Sequence, residues 1–287
     1  MINFKTFLEA RYAKLPNNVM ASWSEKPGTV KQAIKWLVEN NDAAIEAGNF
    51  IYRGFSGGLE NKITFIDSSN GRRVSKDSSG MYQLMMDASD AFKGYPSRSN
   101  SFICTTERSD TQLYGEPYIV FPKKGTKIAI SEEPDFWHTG ISGDAAACYG
   151  GADIETLNIR LVRLFKDAFN IRPKRGMTIQ EMDDALKDVD VQTFIREMGL
   201  SSSKVNQKIL DAIQAQGGKK YFTALSNVLA TPYTFGVETK VYGQSKLERG
   251  TEIWFSGEAL FIAPSEMEEI LKKLPDEINI ARAINKL

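Results

Sequence analysis

Glu258 stands near the middle of a stretch, residues 251–264, that is otherwise almost wholly apolar and aromatic. Burying a carboxylate in such company costs several kcal/mol unless something pairs with it. The position therefore reads either as a structural ion pair or as a site of chemistry. Arg53 follows the strand-like run Phe50-Ile51-Tyr52 and leads into Gly54-Phe55-Ser56-Gly57-Gly58. A guanidinium at a strand end suits an anion, and Gly54 would let backbone approach a ligand closely. A surface arginine at a turn fits equally well. The stretch Ser101-Phe102-Ile103-Cys104-Thr105-Thr106 sets hydroxyl and thiol groups along a short strand. Such groups brace a carboxylate on a neighbouring strand, or serve as an ordinary strand edge. His138 is the one histidine, so any Ser-His or Cys-His mechanism would have to use it. Its loop offers no nucleophile in a recognisable pattern. Cys104 and Cys148 form neither a metal-ligand spacing nor a disulfide framework.

The elements that must position these groups fall in a definite order. Residues 1–28 read as a loosely attached arm. Thr29 is a candidate N-cap for a helix over 30–47 that Gly48 ends. A hairpin and loop are expected over 60–80 and a helix with a methionine-rich core face over 81–92. Strand runs at 118–121 and 126–130 flank Lys123-Lys124-Gly125, a hairpin by composition. Residues 131–152 read as irregular. From 153 to 230 the pattern turns helical, and Thr178-Ile179-Gln180-Glu181 resembles a capping box. A period-two strand over 235–242, the 251–264 strand and a helix from Pro264 with acids in its first turn follow, then a short helix over the last dozen residues.

Composition narrows the function classes. The chain has 287 residues, enough for one large domain or two modest ones. Lys+Arg 36 against Asp+Glu 36 leaves no surplus of positive charge for phosphate neutralisation, so a nucleic-acid partner is not expected. No apolar run is long enough for a membrane span, and the opening residues do not read as a signal peptide. The cysteine usage fits a reducing compartment.

Three stretches, taken in order, carry a family likeness. Tyr52-Arg53-Gly54, then the hydroxyl-rich Ser101 to Thr106 strand, then Glu258-Ala259-Leu260-Phe261-Ile262-Ala263-Pro264 resemble the arginine, Ser-Thr-Ser and glutamate motifs of the mono-ADP-ribosyltransferase superfamily. The stretch from Tyr114 to Ile128 and the opening Phe4-Lys5-Thr6-Phe7-Leu8 look like proteins of large tailed bacteriophages. The likeness covers roughly half the chain. It implies an α+β fold with a core of two small, packed, mixed β-sheets. That domain would run over 49–287, after an arm and helix over 1–48, and carry a helical insertion at about 153–230. It further implies mono-ADP-ribosyl transfer from NAD, the substrate, to a protein of a bacterial host, with nicotinamide released and no metal involved. By the same likeness Arg53 pairs with the diphosphate and Gly54 meets the nicotinamide amide. Ser101, Cys104, Thr105 and Thr106 brace the cleft, and Glu258 steadies the sugar as it turns positive. Glu248 and Ser256 fall where the acceptor is recognised. Host cytoplasm, or carriage in the phage particle, is the implied location. Cys104 replaces the first serine of the pattern, and Ser256 the Glu or Gln that many members carry two residues before the glutamate. Those departures leave a second expectation: a non-enzymatic virion or host-interaction protein on the same fold.

Overall fold

The computed structural model describes residues 23–41, 44–45, 48–71, 80–149, 151–174, 176–198, 202–244 and 246–274. The expected arm segment before residue 23, most of the loop before Gly80 and the expected last helix lie outside them. Nine strands join one antiparallel sheet: β1 (Ser24–Pro27), β2 (Ile51–Phe55), β3 (Ile63–Asp67), β4 (Phe102–Thr105), β5 (Glu116–Pro122), β6 (Lys127–Ser131), β7 (Val237–Val241), β8 (Glu252–Phe255) and β9 (Glu258–Ile262). Their order is β1-β3-β9-β5-β2-β4-β8-β6-β7. Every strand pairing among the described residues is antiparallel, which corrects the expectation of mixed sheets.

The sheet folds over on itself. Its two halves meet through a single aligned pair, Tyr52 opposite Thr105. Alternate residues of both halves then enter one shared core, with Ile51, Phe55, Val120 and Phe261 from one and Phe102, Ile128, Ile253 and Phe255 from the other. The Phe102 and Phe261 rings touch edge to face across it at 5.1 Å. This gives the coarse expectation, an α+β fold around two packed layers of strand, although hydrogen bonding makes them one sheet.

Three local expectations change. The run over 251–264 is two strands, because the chain turns at Ser256 and Gly257, the latter at φ +110. β8 pairs with β4 and β6, whereas β9 pairs with β3 and β5. β5 and β6 flank the expected turn, closed by Thr126 N–H donating to Lys123 O at 3.1 Å, yet they part to opposite halves and form no hairpin. Ser24–Pro27 is no loose arm: it edges the sheet beside β3, and Trp23 before it is buried.

Helices cover both outer faces. On one half α1 (Val30–Asn40), opened by the Thr29 capping box, and α9 (Pro264–Lys272) bury Leu37, Met267, Ile270 and Leu271 against Leu260 and Ile262. The other half carries α2 (Met81–Ala88), α3 (Gly143–Tyr149), α4 (Ile154–Phe169), α5 (Ile179–Leu186), α6 (Val191–Met198), α7 (Ser203–Ala215) and α8 (Tyr221–Leu229), gathered on a core that includes Ala129, Phe136 and Trp254. The short helix α3 falls where the sequence reads as irregular. No described helix is long and apolar enough to cross a membrane.

Candidate functional site

The buried carboxylate of the 251–264 stretch is Glu252, not Glu258. Glu252 is 8% exposed and its Oε1 lies 2.5 Å from Nη1 of Arg98, itself 3% exposed. Its Oε2 accepts the Phe136 backbone N–H at 3.4 Å. The Arg98 guanidinium carbon lies 4.6 Å from the Phe136 ring centre and 4.8 Å from that of Trp254. Burial alone would push the Arg98 guanidinium down, but the Glu252 charge, aided by Tyr82, carries it above its usual range. Glu258, by contrast, is half exposed at the start of β9 and meets Lys123 Nζ at 3.3 Å. It is therefore not the buried carboxylate that the apolar run leads one to expect.

Register decides which motif residues meet. Tyr52 stands opposite Thr105, and Thr105 opposite Glu252. The three form one row across β2, β4 and β8, the adjacent strands that carry the arginine and hydroxyl-rich motifs and the buried glutamate. Opposed residues of antiparallel strands project to the same face, so the row lies on one side of the sheet, where all three residues are buried. Arg53, one residue on, projects to the other side with Ile51 and Phe55. Its guanidinium carbon lies 5.3 Å from the Trp23 ring centre and 5.2 Å from that of Phe55, and Nη1 donates to Ile103 O at 2.6 Å.

Glu258 and Arg53 do not converge. Arg53 is opposite Tyr118 on β5, whereas Ala259, next to Glu258, is opposite Pro122. The offset is roughly 17 Å along the strands and about 10 Å across them. Glu258 also shares its face with Leu260 and Ile262, away from Arg53.

The remaining residues named from sequence have local partners. Thr105 Oγ1 donates to Asp110 at 3.0 Å and accepts the Glu107 N–H at 3.0 Å, bracing the turn Arg108–Leu113 rather than a carboxylate on a neighbouring strand. Thr106 and Thr251 bond to each other and extend the β4–β8 ladder. Ser101 is fully buried and donates to Ser97 O at 2.6 Å. The Cys104 thiol is pushed up to about 12 by burial, which Arg53 opposes and Glu252 reinforces. Gly54 does permit a close approach, but by the chain's own turn: a Cβ there would lie 2.5 Å from Thr111 O and 2.8 Å from Tyr114 Cβ. Glu248 is exposed on the turn entering β8, at the row's end of that strand, and Ser256 lies at its far end. Around Tyr52 stand charges that sequence reasoning passed over. Burial raises its hydroxyl and Glu107 adds to this, while Arg108 and Arg249 oppose it. Arg249 pairs with Glu107 at 2.9 Å.

Two further features could hold a group. Donor atoms of His138, Asp153 and Glu155 lie within 4.8 Å of one another. Asp153 is, however, the N-cap of α4, accepting from Thr156 N–H at 2.8 Å, and a helix N-terminus repels a cation. A cavity of about 150 Å³ lined by Met86, Phe92, Tyr95, Ser97 and Arg98 would take a small group but not a dinucleotide. Comparison of the chain with family models, curated proteins and solved structures returns no match.

Proposed function

We propose that the chain transfers the ADP-ribosyl group of NAD to a protein and releases nicotinamide, with Glu252 as the carboxylate that serves the developing cation. The observation that carries this is the row Tyr52–Thr105–Glu252 on β2, β4 and β8, which sets a buried carboxylate two strands from the arginine motif. A fixed negative charge in a dry site stabilises an oxocarbenium-like transition state far better than one in water. In this reading Thr105 and Thr106 hold the strand edges and Arg53 locks β2 to β4 through the Ile103 carbonyl. Arg108 and Arg249, whose charges act on the Tyr52 hydroxyl, take the diphosphate. The acceptor is a protein of a bacterial host, recognised from the turn that carries Glu248, and the chain works in host cytoplasm or travels in a phage particle.

The experiment is nicotinamide release by purified protein with NAD. Glu252→Gln should lower the rate about a hundredfold or more, the size expected when a charge that faces the transition state is removed. Glu258→Gln should leave it close to wild type. The reverse pattern would return the role to Glu258, as the motif likeness has it.

A second reading has its own support. The Glu252 carboxylate is already satisfied by Arg98 and the Phe136 N–H, as in a purely structural pair. A non-enzymatic virion or host-interaction protein would keep that pair and lose NAD. Absence of NAD binding by calorimetry, together with a fixed copy number in purified virions, would select it.

A further inference from the structure

We propose that Arg98 is the positioning residue for Glu252, fixing which way its carboxylate points; this rests on the reading of Glu252 as the working carboxylate. The two oxygens are held by different groups, Oε1 by the Arg98 guanidinium at 2.5 Å and Oε2 by the Phe136 N–H at 3.4 Å. Such a pair of contacts sets the carboxylate plane as well as its location. Arg98 is immobilised in turn. Its guanidinium lies against the Phe136, Trp254 and Tyr82 rings, at 4.6, 4.8 and 5.9 Å from their centres. The turn that carries it, Arg98–Asn100, follows Pro96, whose carbonyl accepts the Trp254 indole N–H at 3.0 Å. Ser97 is tied on both sides, by Ser101 Oγ donating to its carbonyl and by its own hydroxyl donating to Asp87 at 2.7 Å. β8 thus supplies both the carboxylate and the indole that anchors the residue aiming it. A buried pair can be kept for structure alone, but a guanidinium packed between three rings and paired with one oxygen is also an arrangement that preorganises a carboxylate.

The test uses Arg98→Met, Arg98→Lys and Glu252→Gln, singly and combined, on the full chain. Arg98→Met should lower kcat for nicotinamide release on the order of tenfold to a hundredfold, with KM little changed, the cost of a misplaced catalytic group. Arg98→Lys, which keeps the charge but not the fork, should recover part of the loss. In the Glu252→Gln background Arg98→Met should cost nothing further, because both changes act on one carboxylate. The double variant removes both charges and leaves no unpaired buried ion, so it should fold even if Arg98→Met alone does not. Amide hydrogen exchange gives a readout that needs no activity: Phe136 N–H should exchange faster in Arg98→Met, as in Glu252→Gln, while the β4–β8 ladder stays protected. Equal loss of kcat from Arg98→Met in both backgrounds, or unchanged exchange at Phe136, would overturn the assignment. Should the wild type release no nicotinamide, the transferase reading falls, and the exchange result alone decides the positioning role.

Discussion

Cys104 and Cys148 differ in burial, and that predicts their chemistry. Cys104 is 3% exposed and its thiol is raised from 9.0 to about 12, first by burial. A thiol whose folded value is raised binds its proton longer in the folded state. Its contribution to stability is therefore full below pH 9 and is lost as pH rises toward 12. Cys148 is half-buried and raised less. A thiol reagent at pH 8 should label Cys148 in the native protein and reach Cys104 only on unfolding. Rapid native labelling of Cys104→Ser and Cys148→Ser variants alike would contradict this. The thiolate is the nucleophile, so protection of Cys104 in the native protein would remove it as a hydrolase nucleophile. The glutamates show where residue-level reading stops. Glu252 and Glu258 are an even number of residues apart in one apolar run, so periodicity could not choose between them. What buries Glu252 is Arg98, which lies far outside any local window; what exposes Glu258 is the corner at the adjoining Gly257, whose positive φ an apolar run does not announce.

At the scale of elements, the signals that were legible are the local ones. The Thr178–Glu181 capping box spans three residues and forms as read, with Glu181 N–H donating to Thr178 Oγ1 at 3.1 Å and Thr178 N–H to Glu181 Oε2 at 2.7 Å. The proline start of α9 was equally readable. One helix start was not. α8 is opened from another helix, by Asp183 of α5, which accepts the Phe222 N–H at 2.8 Å, the Thr223 N–H at 3.1 Å and the Thr223 hydroxyl at 2.6 Å. The donors lie 39 and 40 residues from the acceptor, so no local sequence window could join them. Asp183 is 5% exposed, and its loss would strand two backbone donors away from water. Asp183→Ala should cost about 1–3 kcal/mol, more than Thr178→Ala at about 1 kcal/mol, with Asp183→Asn between them. Urea midpoints measure the order; equal costs for the two alanine variants would mean that the remote cap is idle. The turn Lys123–Thr126 carries the same lesson. Its residues announce a turn, but strand pairing is chosen by distant partners, so the hairpin inferred from it does not form.

For the whole molecule, the question is whether the helices between α4 and α8 unfold with the sheet. The sequence presents residues 153–230 as a separate block, because the apolar spacing turns helical there. Its apolar faces join one core with α2, Phe136, Ala129 and Trp254. Trp254 lies on β8, whose alternate residues Ile253 and Phe255 face the core inside the folded sheet. One strand therefore belongs to both cores, and neither can come apart while leaving β8 intact. Cooperative unfolding follows from such sharing, since exposing one face of β8 removes support from the other. Helical circular dichroism, dominated by the helices of that block, should fall over the same temperature range as the fluorescence of Trp23, which is buried in the inner core against Phe102 at 4.6 Å. The measurement needs a variant with Trp23 as its sole tryptophan, with Trp254→Phe to keep an aromatic ring against Phe136. A helical transition several degrees below that of Trp23 would show the block to be an independent unit and the shared strand to transmit little. Coincidence would also place Arg98 and Glu252, which bridge the turn before β4 to β8, inside the one cooperative unit.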